Sequence, residues 1–277
     1  MSWNARLDLK YSHQGNGTQL HYQHEGPLRV MRNLYPEGPS ICHTVIVHPP
    51  GGLVEGDDLA VSVDVARGAH ALLSTPGATR FYGNHSGQVA AQRVRVSVAS
   101  GARLEWLPLE AIAYPACLAE NALDMDIEPG GSAMAWDITA LGLPQAGQPF
   151  EAGRFRQRMR VNEHWLESGL LDGQDHLLMN SPLGLNGQCC IGTLIWAAGD
   201  AVPTTSQADW AQAVRACLPK PRLPLAAGAT WPNDHVLVVR VLGPLVEPVM
   251  GVLQSVWAVL RQVAWQLPST PPRIWRV

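Results

Sequence analysis

The chain has 277 residues and a formal net charge of −3 at pH 7. This length is enough for a substantial buried core, arranged in one large domain or two small ones. The slightly acidic balance argues against the basic surface that a nucleic-acid-binding protein needs. Charged residues make up only 16% of the sequence and hydrophobic residues 46%, so we expect other proteins to cover some apolar surface.

Targeting and redox signals are absent from the sequence. The N-terminus has no apolar segment after its basic residues, and no uninterrupted apolar run reaches the roughly 18 residues that a membrane span needs. The five cysteines contain no C-x-x-C pair, which argues against both a disulfide framework and a structural zinc site. We therefore expect a cytoplasmic protein that does not enter a membrane.

The segment "HPPGGLVEGDDL", residues 48–59, combines prolines, glycines and acids directly after the strand-like run 45–47. Proline removes a hydrogen-bond donor and glycine frees the backbone, so this segment predicts a tight, ordered reversal. Neighbouring residues of a strand face opposite sides, so one of Asp57 and Asp58 is expected to point inward. A buried carboxylate needs a partner, a metal or water. The alternative is that Glu55 and both aspartates face solvent.

Three segments after this reversal share one pattern: alternating apolar residues, a short turn with a glycine, then alternation again. The turn glycines are Gly68, Gly101 and Gly130, roughly 30 residues apart. A fourth, degenerate copy is "RMRVNEHWLES", with His164 at the glycine position. These units predict a mainly β fold over residues 1–200, in which stacked β-hairpins form a solenoid-like or sandwich-like body.

The fourth unit begins with an arginine-rich strand, "RFRQRMRV". Its alternation places four arginines on one face: Arg154, Arg156, Arg158 and Arg160. Such a face is either solvated or a contact for an anionic protein, and spacing alone does not separate the two.

Helical periodicity appears only in the mixed C-terminal part, residues 201–277. "SQADWAQAVRACL" predicts a helix that begins with a capping Ser206. "VMGVLQSVWAVLRQVAWQL" predicts a second helix, and its apolar character nearly all round indicates that it is buried. Between them "HVLVVRVLG" predicts a strand. We treat residues 1–277 as a single domain.

Histidine and cysteine spacing does not predict a tight metal site. His21 and His24 fall on opposite faces of a strand, and the adjacent Cys42 and His43 do the same. The common nucleophile, phosphate-binding and dinucleotide-binding motifs are also absent.

Two glutamates allow a hydrolytic alternative. Glu105 and Glu110 are candidates for the carboxylate pair of a glycoside hydrolase on a β scaffold. No local feature fixes their separation, and Glu105 alternates with apolar neighbours as an ordinary outward residue would. A β-solenoid carbohydrate-binding protein or glycoside hydrolase therefore remains the second interpretation of the sequence.

Oxygen-bearing side chains recur at similar distances after the turn glycines. Thr75, Glu110 and Asp137 each follow their turn glycine by an odd number of residues, so they fall on one face if the strands stack about 4.8 Å apart. A row of oxygen ligands at such intervals can pass on a divalent cation without trapping it. Nearby prolines and Gly131 can shift the register by one residue, which would turn a side chain to the opposite face.

Five blocks in constant order resemble the family of urease accessory protein UreD, also called UreH. They are "GPLRVMRNLYPEG", "CHTVIVHPPGGLVEGDDL", "GAHALLSTPGATRFY", "LEWLPLEAI" and "GTLIWAAG", which span about residues 26–200. The resemblance implies a mostly β scaffold without catalysis in the nickel loading of urease. It implies binding to UreF, through UreF to the GTPase UreG, and to the urease apoprotein, in a dimer of UreD–UreF–UreG complexes.

The resemblance also implies an internal route for Ni²⁺ in transit, with no stably bound cofactor. Asp57, Thr75, Glu110 and Asp137 stand at matching positions of family motifs and are the candidate metal-contacting residues of this route. Asp137 replaces a usual glutamate and has a shorter reach, and Glu55 replaces a usual glycine. The low charge and the apolar last helix further predict that the chain is insoluble without partners.

Overall fold

Two large β-sheets build most of the structure, a computed structural model that describes residues 2–220 and 225–276. The first sheet has seven strands in the order β14-β13-β11-β8-β5-β1-β2. Its strands are β1 (Asn4–Gln14), β2 (Gly17–Glu25), β5 (Asp58–Val65), β8 (Ala90–Val98), β11 (Leu118–Ile127), β13 (Arg154–Val161) and β14 (Trp165–Asp172).

The second sheet runs in the order β16-β17-β15-β12-β9-β6-β4-β3, with two short strands, β7 and β10, beside β12. Its strands are β3 (Arg29–Val30), β4 (Ile41–Val47), β6 (His70–Ser74), β7 (Thr79–Phe81), β9 (Arg103–Trp106), β10 (Ala111–Ala113), β12 (Ser132–Leu141), β15 (Cys190–Ala198), β16 (Ala226–Thr230) and β17 (Val236–Gly243).

The repeat units form coils of a solenoid. Each glycine turn joins a strand of the first sheet to a strand of the second, as β5 to β6, β8 to β9 and β11 to β12. Equivalent strands of successive coils then pair in parallel, β5 with β8 and β8 with β11 in the first sheet, and β6 with β9 and β9 with β12 in the second. The mainly β, solenoid-like prediction is confirmed.

The hairpin form of the three glycine units is a correction to the prediction. Their two arms lie in different sheets, so they do not pair with each other. Alternation and a glycine turn are the same whether the second arm folds back or crosses over, because both need the same local geometry. The fourth unit is a true antiparallel hairpin of β13 and β14, and the positive-φ residue in its turn is Asn162, with φ 45°, in place of a glycine.

The turn glycines take the conformation that the sequence predicts. Gly68, Gly101 and Gly130 have φ values of 75°, 71° and 81°, in the left-handed region that glycine enters without a steric cost. The three turns therefore cross from the first sheet to the second along the same side of the solenoid.

A main core fills the space between the two sheets, and a second core lies outside the second sheet. Val61, Val63 and Val65 of β5 point into the main core, as their alternation predicts. Alternate residues of β12 divide between the two: Ala135 faces the main core, and Trp136 faces the outer one. The layers are thus sheet, sheet and helices.

Three helices are present in the described part of the chain: α1 (His176–Asn180), α2 (Thr204–Cys217) and α3 (Val246–Trp265). Two short 3₁₀ segments, Pro144–Ala146 and Arg273–Arg276, accompany them. Helix α2 begins two residues before the predicted start; Pro203 is its N-cap residue, and no side chain, Ser206 included, caps it. Helix α3 is buried against the second sheet as predicted. Among these helices, none combines the length and apolar character needed to cross a bilayer.

The arginine face of β13 is matched by acids within its own sheet. Arg154 contacts Asp172 at 2.9 Å, Arg160 contacts Asp126 at 2.9 Å, and Arg158 contacts Asp124. Neighbouring strands therefore neutralise three of the four arginines in the absence of a partner.

Candidate functional site

The reversal after β4 is held by close backbone packing. The Gly51 N–H donates to the His48 carbonyl at 2.9 Å, and Gly51 has a φ of 78°. A Cβ on Gly52 would lie 2.4 Å from the Tyr82 ring and 2.9 Å from the Arg80 carbonyl, so no larger residue fits there. The predicted tight reversal is confirmed.

The reversal presents Asp57 inward. Asp57 is only 3% exposed, whereas Asp58 lies on the outer face and contacts Arg93 at 2.7 Å. The Asp57 carboxylate accepts the Trp3 N–H at 2.7 Å and the Val54 N–H at 2.9 Å. One of the two aspartates points inward, as the alternation predicts. Each carboxylate oxygen has lone pairs beyond these bonds, so further ligands are chemically possible.

A cavity of about 240 Å³ lies next to this reversal. Its lining includes His48, Thr75, Arg80 and Gln92. Thr75 is fixed there because its hydroxyl accepts the Leu109 N–H at 2.9 Å and donates to the Gly77 carbonyl at 3.1 Å. Burial lowers the pKa of His48, and the Asp57 charge acts in the opposite direction.

Three amide side chains continue from this cavity along the first sheet. Gln92, Asn121 and Gln157 are register partners on β8, β11 and β13, so they occupy the same position in successive coils. The Gln92 amide donates to the Asn121 carbonyl oxygen at 3.1 Å. We call Gln92, Asn121 and Gln157 the amide row.

The amide row is not among the predicted site residues, although the sequence contains a signal for it. On its strand, each of the three amides is an even number of residues from apolar residues that point inward, so it points inward too. Gln92 is two residues before Val94, and Asn121 is two residues before Leu123. A polar residue at an apolar parity marks an inward polar position.

Asp137 ends this row. Its carboxylate accepts the Asn121 amide at 2.6 Å, the Gln157 amide at 2.8 Å and the Thr139 hydroxyl at 2.9 Å. Burial has the largest influence on the pKa of Asp137 and raises it, although all three donors act to lower it. This carboxylate is therefore held at the junction of the two sheets in spite of a desolvation cost.

Register relates Thr75 to Asp137 but not to Glu110. Leu73, Trp106 and Ala135 are aligned across β6, β9 and β12. Thr75, Pro108 and Asp137 each lie two residues after these aligned residues, so Thr75 and Asp137 are on the inward side of the sheet. Glu110 lies two residues after Pro108, so it is not level with Thr75 and Asp137.

Glu110 is half-buried, and within the described part of the chain its carboxylate makes no hydrogen bond. The Glu110 carbonyl accepts the Thr79 N–H at 2.9 Å. Burial raises the pKa of the Cys190 thiol to about 12, and the charges of Glu110 and Asp137 add to this effect. Glu110 and Asp137 thus both act on this thiol, but Glu110 is outside the hydrogen-bonded row.

Taken together, Thr75 and Gln92 line one cavity, and Asp137 is connected to that cavity through the amide row. Asp57 does not line that cavity, but its charge acts on the pKa of His48, which does. Within residues 2–220 and 225–276, no three histidine, cysteine or acidic side chains cluster closely enough to hold a metal ion.

Glu105 belongs to a different, fully buried cluster under α3. Its carboxylate contacts the His70 imidazole at 2.8 Å, the Trp257 indole N–H at 2.5 Å and the Arg261 guanidinium at 3.3 Å. The expectation that Glu105 is an ordinary outward residue is wrong: it does point out of the solenoid, but α3 covers it completely. Both its oxygens are engaged, so it offers no free carboxylate for a glycosidase pair with Glu110.

Known proteins similar to this chain match nearly all of its length. The family model described as "UreD urease accessory protein" matches residues 4–276. A protein of Paracidovorax citrulli named urease accessory protein UreD is 50% identical over 275 residues, 99% of each chain. Proteins of the same name from Leptothrix cholodnii and Methylibium petroleiphilum are 49% and 43% identical and covered completely, as is this chain.

Proposed function

This chain belongs to the UreD family of urease accessory proteins, and from that membership we propose how it acts in urease maturation. It is a scaffold without turnover of its own that binds UreF, through UreF the GTPase UreG, and the urease apoprotein. Ni²⁺ passes through its interior toward the urease active site. The working assembly is a dimer of UreD–UreF–UreG complexes.

The observation that carries the nickel route is the connection from the cavity to Asp137. Polar side chains inside a β-solenoid are costly unless they are hydrogen-bonded, and apolar residues at these positions would pack as well. Gln92, Asn121 and Asp137 nevertheless form a chain with donor–acceptor distances of 3.1 and 2.6 Å. Such a chain supports a function that needs polar groups inside the fold.

The chemistry of the row suits transfer and not storage. Conduction of an ion requires several weak sites, because one deep site would trap it. Carboxylate, hydroxyl and amide oxygens at Asp57, Thr75, Asn121 and Asp137 are hard ligands, to which Ni²⁺ binds less tightly than to a cage of imidazoles and thiolates. Asp57, Thr75 and Asp137 come from different coils, so no three of these groups form one closed cage around an ion.

The cavity gives the ion space to keep part of its hydration shell. Water occupies about 30 Å³ per molecule in the liquid, so a volume of about 240 Å³ holds several waters around one cation. An ion that keeps some of its water needs only one or two protein ligands at each station. Ni²⁺ is thus cargo, and no stably bound cofactor is required.

Co-expression of urease with the accessory proteins tests the route through the nickel content of purified urease. We expect Asp137→Asn to lower that content by at least about tenfold, the effect usual for losing a group that organises a metal site. Asp57→Asn is preferable to Asp57→Ala, because asparagine keeps one of the two oxygens that accept the Trp3 and Val54 N–H groups, whereas alanine removes both. The control is Asp126→Asn, an exposed acid of the outer face.

Thr75→Val and Glu110→Ala complete the series. Full loading with all four variants of Asp57, Thr75, Glu110 and Asp137 would overturn the route. The scaffold role is tested separately, by purifying the tagged chain from cells that contain the urease operon. UreF and UreG in the eluate support that role, whereas binding of the chain to glycans would favour the carbohydrate-binding alternative.

A further inference from the structure

Strand β14 is an unprotected edge of the first sheet. In the described part of the chain it pairs with β13 alone. It contains no proline, lysine or bulge, the features with which proteins usually keep such an edge from pairing with other chains. A strand of another protein can therefore add to its free side.

The pairing of β13 with β14 shows which backbone groups point to this free side. The Gly173 N–H donates to the Gly153 carbonyl at 3.0 Å, in a pair that continues the register of the two strands. Hydrogen-bonded and non-bonded pairs alternate along an antiparallel ladder, so Leu166, Ser168 and Leu170 belong to non-bonded pairs. Their N–H and carbonyl groups point away from β13 and are free for a further strand.

The outer face of this edge is apolar. Leu166 and Leu170 are 60% and 41% exposed, and they point away from the main core, into which Leu171 of the same strand points. Exposed leucines beside free backbone groups mark a contact for another protein.

The neighbouring arginine face makes this contact selective for acid. Arg156 is exposed and, unlike the other three arginines of β13, has no ion pair in the described part of the chain. It is the register partner of Leu170, so a strand added to β14 lies two strand spacings away, about 9.6 Å. The side chains of an arginine and a glutamate together bridge this distance. A second copy of this chain would bring four more arginines to the face instead of acids.

The amide row also reaches the edge of the sheet at β14. The register partner of Gln157, the last amide of the row, is Gly169 of β14. Gly169 is exposed, and nothing lies within 4 Å of the position of a Cβ on it. A cation that has reached Gln157 and Asp137 is therefore one strand from the edge, and the protein that receives it has to bind close to this point.

We propose that the free side of β14 is the docking edge for the urease apoprotein, from which an extended segment adds to the first sheet as a further strand. The segment has apolar residues that pack on Leu166 and Leu170 and an acidic residue that pairs with Arg156. The inference rests on the proposed function and adds to it the surface and the mode of binding. Main-chain hydrogen bonds give affinity, and the side chains give selectivity.

Ser168→Pro tests strand addition, because proline removes the free N–H of residue 168 without removing a bond to β13. Ser168→Ala keeps that N–H and is the matched control. The tagged chain is purified from cells that contain the urease operon. We expect the co-purified urease to fall about tenfold in Ser168→Pro, with UreF and UreG retained, and to stay unchanged in Ser168→Ala.

Side-chain variants test the chemistry of the segment. We expect Arg156→Glu and the double variant Leu166→Ser, Leu170→Ser to lower the co-purified urease by a similar factor. Leu34→Ser, a change at an exposed leucine outside the first sheet, is the control and should have no effect. Loss in the leucine variant with full binding in Ser168→Pro would show that a helix or loop covers the face, and would overturn strand addition.

A photoreactive p-benzoylphenylalanine in place of Leu166 identifies the occupant in the same cells. A cross-link to a urease peptide that contains an acidic residue supports the proposal, whereas a cross-link to UreF, to UreG or to a second copy, or none, would overturn it. Asp137→Asn separates the docking edge from the nickel route, because it should keep urease bound and lower only the nickel content. If the unmodified chain retains no urease, the proposed function fails together with the docking edge.

Discussion

The Arg261 guanidinium of α3 binds both carboxylate oxygens of Glu37, at 2.7 and 3.1 Å, across 224 residues of sequence. Arg261 is completely buried, and Glu37 also contacts the His43 imidazole at 2.9 Å. With Glu105 and His70, these residues form a charge cluster between the last helix and the second sheet. The cluster fixes α3 to the solenoid at one position.

Removing one partner of this cluster should destabilise the protein strongly. We expect Glu37→Gln to lower the free energy of unfolding by about 3–5 kcal/mol, because the Arg261 charge then stays buried with fewer partners. Urea unfolding followed by tryptophan fluorescence measures this, since Trp257 and Trp265 lie on the same helix. The exposed pair of Arg6 and Asp8 is the control, and Asp8→Asn should cost less than about 1 kcal/mol. Equal losses for the two variants would contradict the role of the cluster.

The cluster should also make the attachment of α3 sensitive to acid. For Glu105, burial acts to raise the pKa, but His70 and Arg261 outweigh it and the pKa lies below the ordinary value of 4.5. For Glu37, burial is likewise outweighed by His43 and Arg261. An acid whose pKa is lower in the folded than in the unfolded state stabilises the fold at pH values above its unfolded-state pKa. This contribution is lost as the pH falls through the folded-state pKa.

We therefore expect the free energy of unfolding to decrease as the pH falls below 4.5, the ordinary pKa of glutamate. Unfolding curves at a series of pH values from neutral to acid measure this decrease. Part of the slope should disappear in Glu37→Gln, because that variant has one fewer carboxylate to protonate. The same slope in both proteins would show that other acids are responsible.

Asp137 should behave in the opposite way. Its raised pKa means that the ionised form costs stability at neutral pH, and this cost is relieved as the pH falls through the folded value. We expect Asp137→Asn to unfold at the same or a slightly higher temperature at pH 7, while urease loading is lost. A variant that loads urease poorly only because it unfolds would lower the melting temperature, and thermal unfolding distinguishes the two.

Gly52 should be indispensable for the shape of the cavity, unlike its neighbour in the lining, Gly77. A Cβ on Gly52 would overlap the Tyr82 ring and the Arg80 carbonyl, whereas a Cβ on Gly77 has nothing within 4 Å. We expect Gly52→Ala to cost about 1–3 kcal/mol by overpacking, and Gly77→Ala to cost much less. Thermal unfolding of the two variants measures the difference, and similar melting temperatures would argue against the close approach at Gly52.

The sequence predicts the local features of this fold well. Period-two alternation identifies the strands, the turn glycines have positive φ, and the apolar α3 is buried. It cannot predict which strands pair, because a turn at Gly68 is compatible with a hairpin and with a crossing to the second sheet. The pairing of β5 with β8 is decided by the stacking of whole coils, which no local pattern encodes.

The candidate site shows the same division. The inward position of Asp57 follows from its place beside Asp58 in a reversal of known type. The burial of Glu105 depends on Trp257 and Arg261, more than 150 residues away, so its own neighbours give no sign of it. Polar residues at inward parity, such as Asn121, resemble surface positions unless their strand's apolar face is known.

The amide row is tied to the repeat of the coils. Gln92, Asn121 and Gln157 coincide because β8, β11 and β13 are in register. Inserting one residue into β11 would turn Asn121 to the solvent side and interrupt the chain of contacts. A longer or shorter interior path that keeps these amides aligned therefore requires whole turns of the solenoid, in increments of about 4.8 Å.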